Sequence, residues 1–589
     1  MVRLQLAETL KPGTAIAALV LAPIVALGLS LTPPSAEAQD TSRMGMTQGS
    51  MSGKDPSEWR MPPMNMAMAM AAFLQGRVPD VTPFIPGAEL DDEQRGMLLK
   101  ATFQEVIELA DGDSLDLDAG LVLRDIGGRT FVMYAFNGQI PGPLLRVKQH
   151  STITVNFTNN IEFPTTLRWH GVRLDNDFDG VPGLTQRPVR PGESFQYRVR
   201  FPDAGVYWYH PHQHEDIAQD LGLYGTIHVE ADEKNYYNPV NREENLLLDD
   251  ILIDELGLFP WGLEAPTHAL MGRFGNVLLV NGQTDYGLDV KQGDVVRFYL
   301  TNASNTRTFN LSWAGAPIKL IAGDLGKFER EVLVPSVVIG PGQRYTVEVR
   351  FAEPGEFALT NRIQAIDHFR GTFYPHADTL GTIAVADEAT EVDHSERFAQ
   401  LREHPEVQAE IDRVRQHFDR PVDHELILTM RGAALPVPIL QLMSMDTLYS
   451  PPVEWNETMP MMNWLATGME VTWILRDAVA VSAGDEIGPA AGWRFKQGDV
   501  VKIRLFNDPK SLHPMNHPMH LHGQRFLVLE QDGVRSTNFA WRDTVILPVG
   551  STVDLLVEMS NPGNWMLNCQ IPEHLGSGMS IALRVDPSS

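Results

Sequence analysis

Cys569 is the only cysteine among 589 residues, and it begins a short run of residue types that bind metals. His574 and Met579 follow it at successive five-residue steps, and His517 lies upstream in the segment 516–523. Two imidazoles, one thiolate and a weak axial thioether form the ligand set of a blue, or type 1, copper. A single cysteine cannot form an intramolecular disulfide. We therefore expect these four residues to hold one copper; the alternative is a buried thiol packed against imidazoles without metal.

Other histidine motifs lie far from Cys569 in the chain. Residues 168–171 read Arg-Trp-His-Gly, residues 210–212 read His-Pro-His, and residues 517–523 read His-Pro-Met-His-Leu-His-Gly. With the segment 568–579, these resemble the four motifs of the multicopper oxidase family: H-W-H-G, H-x-H, H-P-x-H-L-H-G and H-C-H-x3-H-x4-M. The resemblance spans roughly residues 103–585. It implies three cupredoxin domains, an all-β fold, with a trinuclear copper cluster between the first and third domains.

The resemblance also implies ligands for that cluster, residue by residue. The positions that match and keep their histidine are His520 for a type 2 copper and, for the type 3 pair, His170, His210, His212 and His522. The family's remaining three histidine positions are occupied by Arg168, Asn568 and Gln570. Arg168 would partner His520, while the two amides would complete the type 3 pair.

These three substitutions argue against the family's four-electron reduction of oxygen. A guanidinium stays protonated and offers no lone pair, so Arg168 repels a metal ion instead of binding it. Amide oxygens are poor substitutes for imidazole at copper. In the family, the histidines beside the type 1 cysteine carry electrons to the type 3 pair, and here both flanks are amides. The resemblance thus leaves Cys569 and His517 as the point of electron entry, with an impaired cluster beyond them.

The net charge limits the possible binding partners, and the N-terminal segment indicates the cellular compartment. The formal net charge is −28, which disfavours nucleic acid and anionic membrane surfaces and attracts cations. Residues 1–38 resemble a secretory signal: Arg3 and Lys11 precede an apolar run, and Ala36 and Ala38 form a small-residue cleavage site. The alternative is an uncleaved anchor helix. We expect a periplasmic or secreted protein whose mature chain has no membrane span.

An internal repeat predicts the domains. The sequence KQHSTITVNFTN begins at residue 148, KQGDVVRFYLTN at 291 and KQGDVVKIRLFN at 496, and each is a turn followed by an alternating strand. A glycine-led strand follows in each copy, at Gly205, Gly355 and Gly563. Three copies of one β-sandwich are therefore predicted at 103–232, 243–390 and 420–589, with a helical linker at 391–419. The ligand motifs fall in the first and third copies.

Methionine is concentrated in two segments. The predicted leader, residues 39–102, is expected to be largely disordered and holds eight methionines between residues 44 and 70. A second group lies between residues 443 and 469. Thioether sulfur could bind Cu(I), although methionine also serves as adaptable core packing. His150, His228, His268 and His513 stand alone, and we expect them to be ordinary surface or packed residues.

Three functions fit these features. The first is an exported copper protein with one type 1 copper, passing electrons to or from a small molecule, a metal ion or a periplasmic redox protein, or handling copper. The second is a working oxidase that couples oxidation of Cu(I) or phenols to oxygen reduction. The third is a scaffold without enzymatic activity, which the intact type 1 ligand set disfavours. All three leave the substrate and the copper occupancy open.

Overall fold

The structure is a computed structural model that describes residues 83–367, 372–432, 453–455, 467–478, 492–511 and 515–588. The predicted signal segment, the methionines of the leader, most of the second methionine group and His513 lie outside these residues. Within them, no helix has the length and apolar character needed to cross a membrane.

The first domain consists of two sheets of five and four strands. Its strands are β1 (Val106–Leu109), β2 (Ser114–Ile126), β3 (Arg129–Phe136), β4 (Gly142–Lys148), β5 (Thr152–Asn159), β6 (Arg168–His170), β7 (Ser194–Arg200), β8 (Gly205–His210) and β9 (Gly225–Glu230). The sheets run β1-β4-β9-β8-β6 and β3-β2-β5-β7. A short 3-10 helix, Asn176–Phe178, and a helix, Glu215–Ala218, lie in its loops.

The second domain begins with β10 (Arg242–Ile251), and a helix follows at Ala265–Met271. Its other strands are β11 (Val277–Val280), β12 (Tyr286–Gln292), β13 (Val295–Asn302), β14 (Phe309–Trp313), β15 (Ile318–Gly323), β16 (Gly326–Val334), β17 (Val337–Ile339), β18 (Arg344–Arg350), β19 (Gly355–Asp367) and β20 (Thr372–Ala389). The sheets run β11-β10-β13-β18-β15-β16 and β12-β20-β19-β14-β17.

The third domain repeats this plan. Its strands are β21 (His424–Gly432), β22 (Val453–Trp455), β23 (Val471–Asp477), β24 (Trp493–Lys496), β25 (Val500–Asn507), β26 (His517–Leu521), β27 (Arg525–Gln531), β28 (Val534–Arg535), β29 (Thr544–Leu547), β30 (Thr552–Glu558), β31 (Gly563–Cys569) and β32 (Ser580–Asp586). The sheets run β23-β21-β25-β30-β27-β28 and β24-β32-β31-β26-β29, and β22 instead pairs with β19 of the second domain. Three β-sandwich domains confirm the predicted all-β fold class.

The repeat found in the sequence has a physical basis. Strands β5, β13 and β25 each end at a buried asparagine, and each side-chain amide donates two hydrogen bonds to backbone carbonyls of its own domain. Asn159 bonds Phe163 and Val189, Asn302 bonds Arg307 and Ile339, and Asn507 bonds Met515 and Leu547, all between 2.7 and 3.1 Å. The asparagine thus fixes the equivalent loops in every domain, because the loop carbonyls are buried and need hydrogen-bond donors.

Residues 83–102 differ from the expectation. They were predicted to belong to the disordered leader, but Phe84 pairs with Trp261 through two backbone hydrogen bonds, and Leu99 and Ala101 pair with Leu123 of β2. A helix, Asp92–Met97, starts with a complete capping box. The predicted leader is therefore too long at its C-terminal end, because these backbone groups find partners on the first two domains. The segment 391–419 contains helices Ser395–Ala399 and Pro405–Arg415.

Candidate copper sites

The four residues expected at the type 1 copper converge in the third domain, where we call them the Cys569 site. His517 starts β26 and Cys569 ends β31, and these two strands are paired, with Met519 opposite Cys569. His574 lies on the helix Pro572–Gly576, and Met579 follows that helix directly. All four side chains are 0% exposed. The chain reverses direction after β31, and this reversal brings His574 and Met579 back beside Cys569.

Distances in the Cys569 site suit a metal bound from several sides. The Sγ of Cys569 lies 3.7 Å from Nδ1 of His517 and 3.7 Å from Nδ1 of His574. The three ligand atoms lie within 4.8 Å of one another. The Nε2–H of His574 donates to the carbonyl of Leu270 at 3.2 Å, which leaves the lone pair of Nδ1 facing the sulfur. The residues present therefore fit a type 1 copper.

Burial sets the protonation of these groups when no metal is bound. It lowers the pKa of His574 to about 3, so the imidazole is neutral at neutral pH. Burial also raises the pKa of the Cys569 thiol, so the metal-free side chain keeps its proton. Cys569 would have to lose that proton to hold a copper, since only the thiolate is a ligand. Trp473 covers both rings, with centroid distances of 4.8 Å to His517 and 4.6 Å to His574.

The five remaining histidines also converge, between the first and third domains, and we call them the five-histidine site: His170, His210, His212, His520 and His522. Strand β6 supplies His170, strand β8 ends at His210, and β26 supplies His520. The rings of His170 and His520 stack at 3.8 Å, and those of His212 and His522 meet edge to face at 5.2 Å. The structure thus brings together residues that lie more than 300 positions apart.

Arg168 occupies the centre of one side of this site. It is 1% exposed; its Nη1 donates to Oδ1 of Asp179 at 2.5 Å, and its Nη2 lies 2.6 Å from Nε2 of His520. The Nδ1 of His520 lies 3.0 Å from the carbonyl of Asp543 and therefore carries the ring proton. The Nε2 lone pair consequently accepts from the guanidinium. No lone pair of His520 is left for a metal, and the residues present do not fit a type 2 copper.

The histidines at the type 3 positions differ in whether their ring nitrogens have hydrogen-bond partners. Nε2 of His522 contacts the side-chain amide of Asn568 at 3.0 Å, and its Nδ1 lies 2.9 Å from Oδ2 of Asp179. By contrast, Nδ1 of His170 and both ring nitrogens of His210 are buried without a hydrogen-bond partner. Burial, followed by the charge of Arg168, holds the pKa of His210 well below its usual value. These nitrogens remain available, whereas His522 is engaged on both sides.

The sequence analysis did not identify three residues that organise the five-histidine site. Asp543 lies 3.4 Å from both His170 and His520, and it is held by Arg344 of the second domain through two hydrogen bonds of 2.7 and 2.5 Å. Thr544 lies 3.1 Å from Nε2 of His170. A charged residue directly before the apolar strand Thr544–Leu547 was the available signal. The middle domain, though bare of histidine ligands here, therefore still supports the site.

Gly171 allows the three domains to pack closely at this site. Gly171 follows His170 with a φ of +87°, and a Cβ there would lie 2.5 Å from Nη2 of Arg344 and 2.6 Å from Oδ2 of Asp543. Any side chain would separate that buried ion pair. The glycine ending the Arg-Trp-His-Gly motif is thus required by both the backbone conformation and the packing.

Comparison with known proteins agrees with these observations. Three family models, each described as multicopper oxidase, match residues 124–234, 248–383 and 470–589. The chain belongs to the multicopper oxidase family. It is 24% identical over 456 residues to a multicopper oxidase of Staphylococcus aureus, which covers 76% of this chain and 83% of that protein. Family membership implies copper as the cofactor and a copper-oxidase-like function.

Two further relatives extend the comparison. A copper resistance protein A homologue of Pseudomonas syringae pv. tomato is 23% identical over 570 residues, covering 81% of this chain and 92% of that protein. The crystal structure of a multicopper oxidase from Pseudomonas thermotolerans superposes with a TM-score of 0.58 at 26% identity, covering 82% of this chain and all of that one. The alignments span most of both chains, so the likeness concerns the whole three-domain body.

Proposed function

We propose that this protein is an exported copper protein with one type 1 copper at the Cys569 site and without the oxygen-reducing cluster of its family. The copper would supply one-electron chemistry, and His517, Cys569, His574 and Met579 would hold it. The single observation that carries the second half of the proposal is the contact of Arg168 with Nε2 of His520 at 2.6 Å. Electron transfer to a redox partner and the handling of copper both remain compatible with such a site.

The charge of Arg168 opposes a metal ion beside His520. Two unit charges about 4 Å apart interact with about 4 kcal/mol at an effective dielectric of about 20, and a divalent ion feels about twice that repulsion. Asp179 compensates the guanidinium, but that carboxylate is already shared between Arg168 and His522. The chain thus provides its own cation where the family places a type 2 copper. If the guanidinium left this position, the buried carboxylate of Asp179 would lose its ion pair and keep the contact with His522.

Loss of the flanking imidazoles isolates the Cys569 site from the five-histidine site. Asn568 and Gln570, on either side of Cys569, are 1% and 2% exposed and face the other site. Asn568 lies directly opposite His520 in the ladder between β26 and β31 and contacts His522 instead of providing a nitrogen ligand. An electron arriving at Cys569 therefore lacks the family's paired imidazole route. A working oxidase is the second candidate, favoured by the unpartnered nitrogens of His170 and His210.

Copper counting and electron paramagnetic resonance separate the two candidates. The full chain, loaded with copper and freed of excess metal, should hold one strongly bound copper per molecule with a type 1 spectrum and no type 2 signal. Oxygen consumption with a one-electron donor should stay at background. A type 2 signal, or four-electron reduction of oxygen by the wild type, would refute the proposal. Detection of the chain in a periplasmic or culture-medium fraction, rather than the cytoplasm, would test export.

A further inference from the structure

Trp473 lies against both imidazoles of the Cys569 site, although it is not one of the four expected ligands. Its ring centroid is 4.8 Å from that of His517, with the ring planes at 72°, and 4.6 Å from that of His574, with the planes at 40°. The two imidazole rings are 5.1 Å apart. One indole therefore contacts both expected nitrogen ligands at once.

Two hydrogen bonds hold Trp473 in this position. The residue lies on β23 and is 1% exposed. Its indole N–H donates to the carbonyl of Ala269 in the second domain at 2.7 Å. Its backbone N–H donates at 2.9 Å to the carbonyl of Ser577, which lies in the short segment that joins His574 to Met579. The backbone of Trp473 is thus tied to the segment that carries two of the expected ligands, and its ring is tied to another domain.

The second domain can supply acceptors here because its helix Ala265–Met271 ends beside the Cys569 site. The last carbonyls of a helix have no partner within the helix and need donors from elsewhere. The carbonyl of Ala269 accepts from the indole of Trp473, and the next carbonyl, that of Leu270, accepts from Nε2 of His574 at 3.2 Å. The end of this helix therefore holds the indole and one expected ligand side by side.

A metal site of this kind needs its ligand rings fixed and its surroundings dry. A buried imidazole keeps one orientation only where packing or a hydrogen bond prevents its rotation, and residues around the ligands provide both. The same residues control how far water reaches the metal and thereby its reduction potential. The contacts of Trp473 with His517 and His574 allow it to serve both purposes.

We propose that Trp473 is a positioning residue of the Cys569 site: its indole, anchored on the second domain, fixes the orientation of His517 and His574 and keeps water from the Cys569 sulfur. The second domain thereby acts on this site without supplying any of its four expected ligands. The effect on a bound copper rests on the proposed function, whereas the shielding of the sulfur is a property of the metal-free protein as well.

Thiol labelling of the metal-free protein tests the shielding. Because Cys569 is the only cysteine in the chain, reaction with N-ethylmaleimide reports access to this one sulfur. Trp473→Leu should react at least about tenfold faster than the wild type, whereas Trp473→Phe, which keeps an aromatic face, should stay within about threefold. Trp493→Leu is the matched control, since Trp493 lies in the same core and its indole N–H also has a protein acceptor, Asp477, at 2.9 Å.

The control separates shielding from general weakening of the domain. Equal acceleration by Trp473→Leu and Trp493→Leu would show that any loosened core exposes the sulfur, and the proposal would be wrong. An unchanged labelling rate in Trp473→Leu would overturn it as well.

Copper binding and redox titration test the positioning of the imidazoles. In competition with a chelator, Trp473→Leu should bind Cu(II) roughly tenfold or more weakly, and its reduction potential should fall as water reaches the site. Trp473→Phe should restore both values towards those of the wild type, and Trp493→Leu should leave them unchanged. Wild-type affinity and potential in Trp473→Leu would refute the positioning role. A wild type that never turns blue would refute the proposed type 1 copper instead, and the labelling rates would still decide whether Trp473 shields the sulfur.

Discussion

His517 and His520 lie three residues apart on strand β26, but their ring nitrogens meet opposite environments. Nδ1 of His517 lies 3.7 Å from the Cys569 sulfur, whereas Nε2 of His520 accepts a hydrogen bond from the Arg168 guanidinium. The same strand pair, β26 and β31, serves both sites. At one end of the ladder the residues expected to bind copper face one another. At the other end the Arg168 guanidinium and the Asn568 amide contact the histidines.

The proposed function implies that a metal site can be lost without loss of the fold. The guanidinium of Arg168 replaces a positive charge, Asp179 keeps a partner, and Asn568 fills the position of an imidazole. The buried polar atoms are thereby largely satisfied, which stability requires. In the Cys569 site, by contrast, the sulfur lies 3.7 Å from Nδ1 of both His517 and His574.

The largest expected effect comes from Cys569→Ser. Blue absorption depends on charge transfer from the thiolate to Cu(II), so the variant should be colourless at any copper concentration. The fold should persist, because serine occupies nearly the same buried volume beside Met579. Visible absorption and circular dichroism of the copper-loaded variant test both points. A colourless wild type would contradict the assignment of the Cys569 site directly.

Arg168→His should change the five-histidine site next most strongly. Removing the guanidinium frees Nε2 of His520 and adds an imidazole, so one further copper with a type 2 signal should appear. Oxygen turnover should stay low, because Asn568 and Gln570 still flank Cys569. Copper analysis and spin resonance of the variant measure this; Arg187→His, at a 71% exposed side chain, is the matched control and should add no copper.

The triple variant Arg168→His, Asn568→His, Gln570→His extends that test. It should consume oxygen, while Asn568→His with Gln570→His alone should not, since the guanidinium still opposes the third ion. The effects should be strongly non-additive, as expected of residues that act as one unit. An inactive triple variant with every copper bound would show that another residue is missing, and Leu575 beside His574 would be examined first.

The sequence predicted the relations between residues within one segment and missed the contacts between domains. Five-residue spacing grouped Cys569, His574 and Met579, because the end of β31 and a short helix return the chain locally. His517, 52 positions from Cys569, was added because of its residue type. Asp179, the buried partner of Arg168, lies only 11 positions after it in the same segment, whereas Asp175 and Asp177 are exposed. These are short-range relations, which patterns in one segment can show.

Arg344, Asp543 and Glu215 could not be assigned in the same way. The ion pair of Arg344 with Asp543 joins residues 199 positions apart in different domains, and no local pattern marks either as a partner. Glu215 lies on the short helix Glu215–Ala218, which packs against the helix Pro572–Gly576 of the third domain, so its burial depends on a contact between domains. Pairing across domain boundaries is a property of the packed structure, and a single sequence holds no direct signal of it.

Acid should destabilise the copper-free protein, and copper should protect only one of the two sites. Burial lowers the pKa values of His574 and His212 to about 3 from 6.5. Their contribution is complete above pH 6.5 and is lost as the pH falls towards 3, because the unfolded chain binds the protons first. Each can cost up to about 1.4 kcal/mol per pH unit.

Urea unfolding at pH 7.5 and pH 5 measures this loss in both forms. The copper-loaded protein should lose less stability, since metal on His574 competes with its proton while His212 stays unprotected. Equal losses with and without copper would show that copper does not bind His574. The proposed difference between the Cys569 site, which binds copper, and the five-histidine site would then be unsupported.

Met579→Leu should produce the smallest change and should sharpen the description of the Cys569 site. Met579 is 0% exposed, and its backbone carbonyl accepts from the amide of Cys569 at 3.0 Å, so leucine keeps the packing and removes only the thioether. Loss of a weak axial ligand favours Cu(I), so the blue colour should remain and the reduction potential should rise. A rise on the order of 60 mV corresponds to a tenfold change in a one-electron equilibrium. Redox titration of the blue band measures it, with Met559→Leu in the same core as the matched control. An unchanged potential would mean that Met579 is packing, leaving His517, Cys569 and His574 as a three-ligand site.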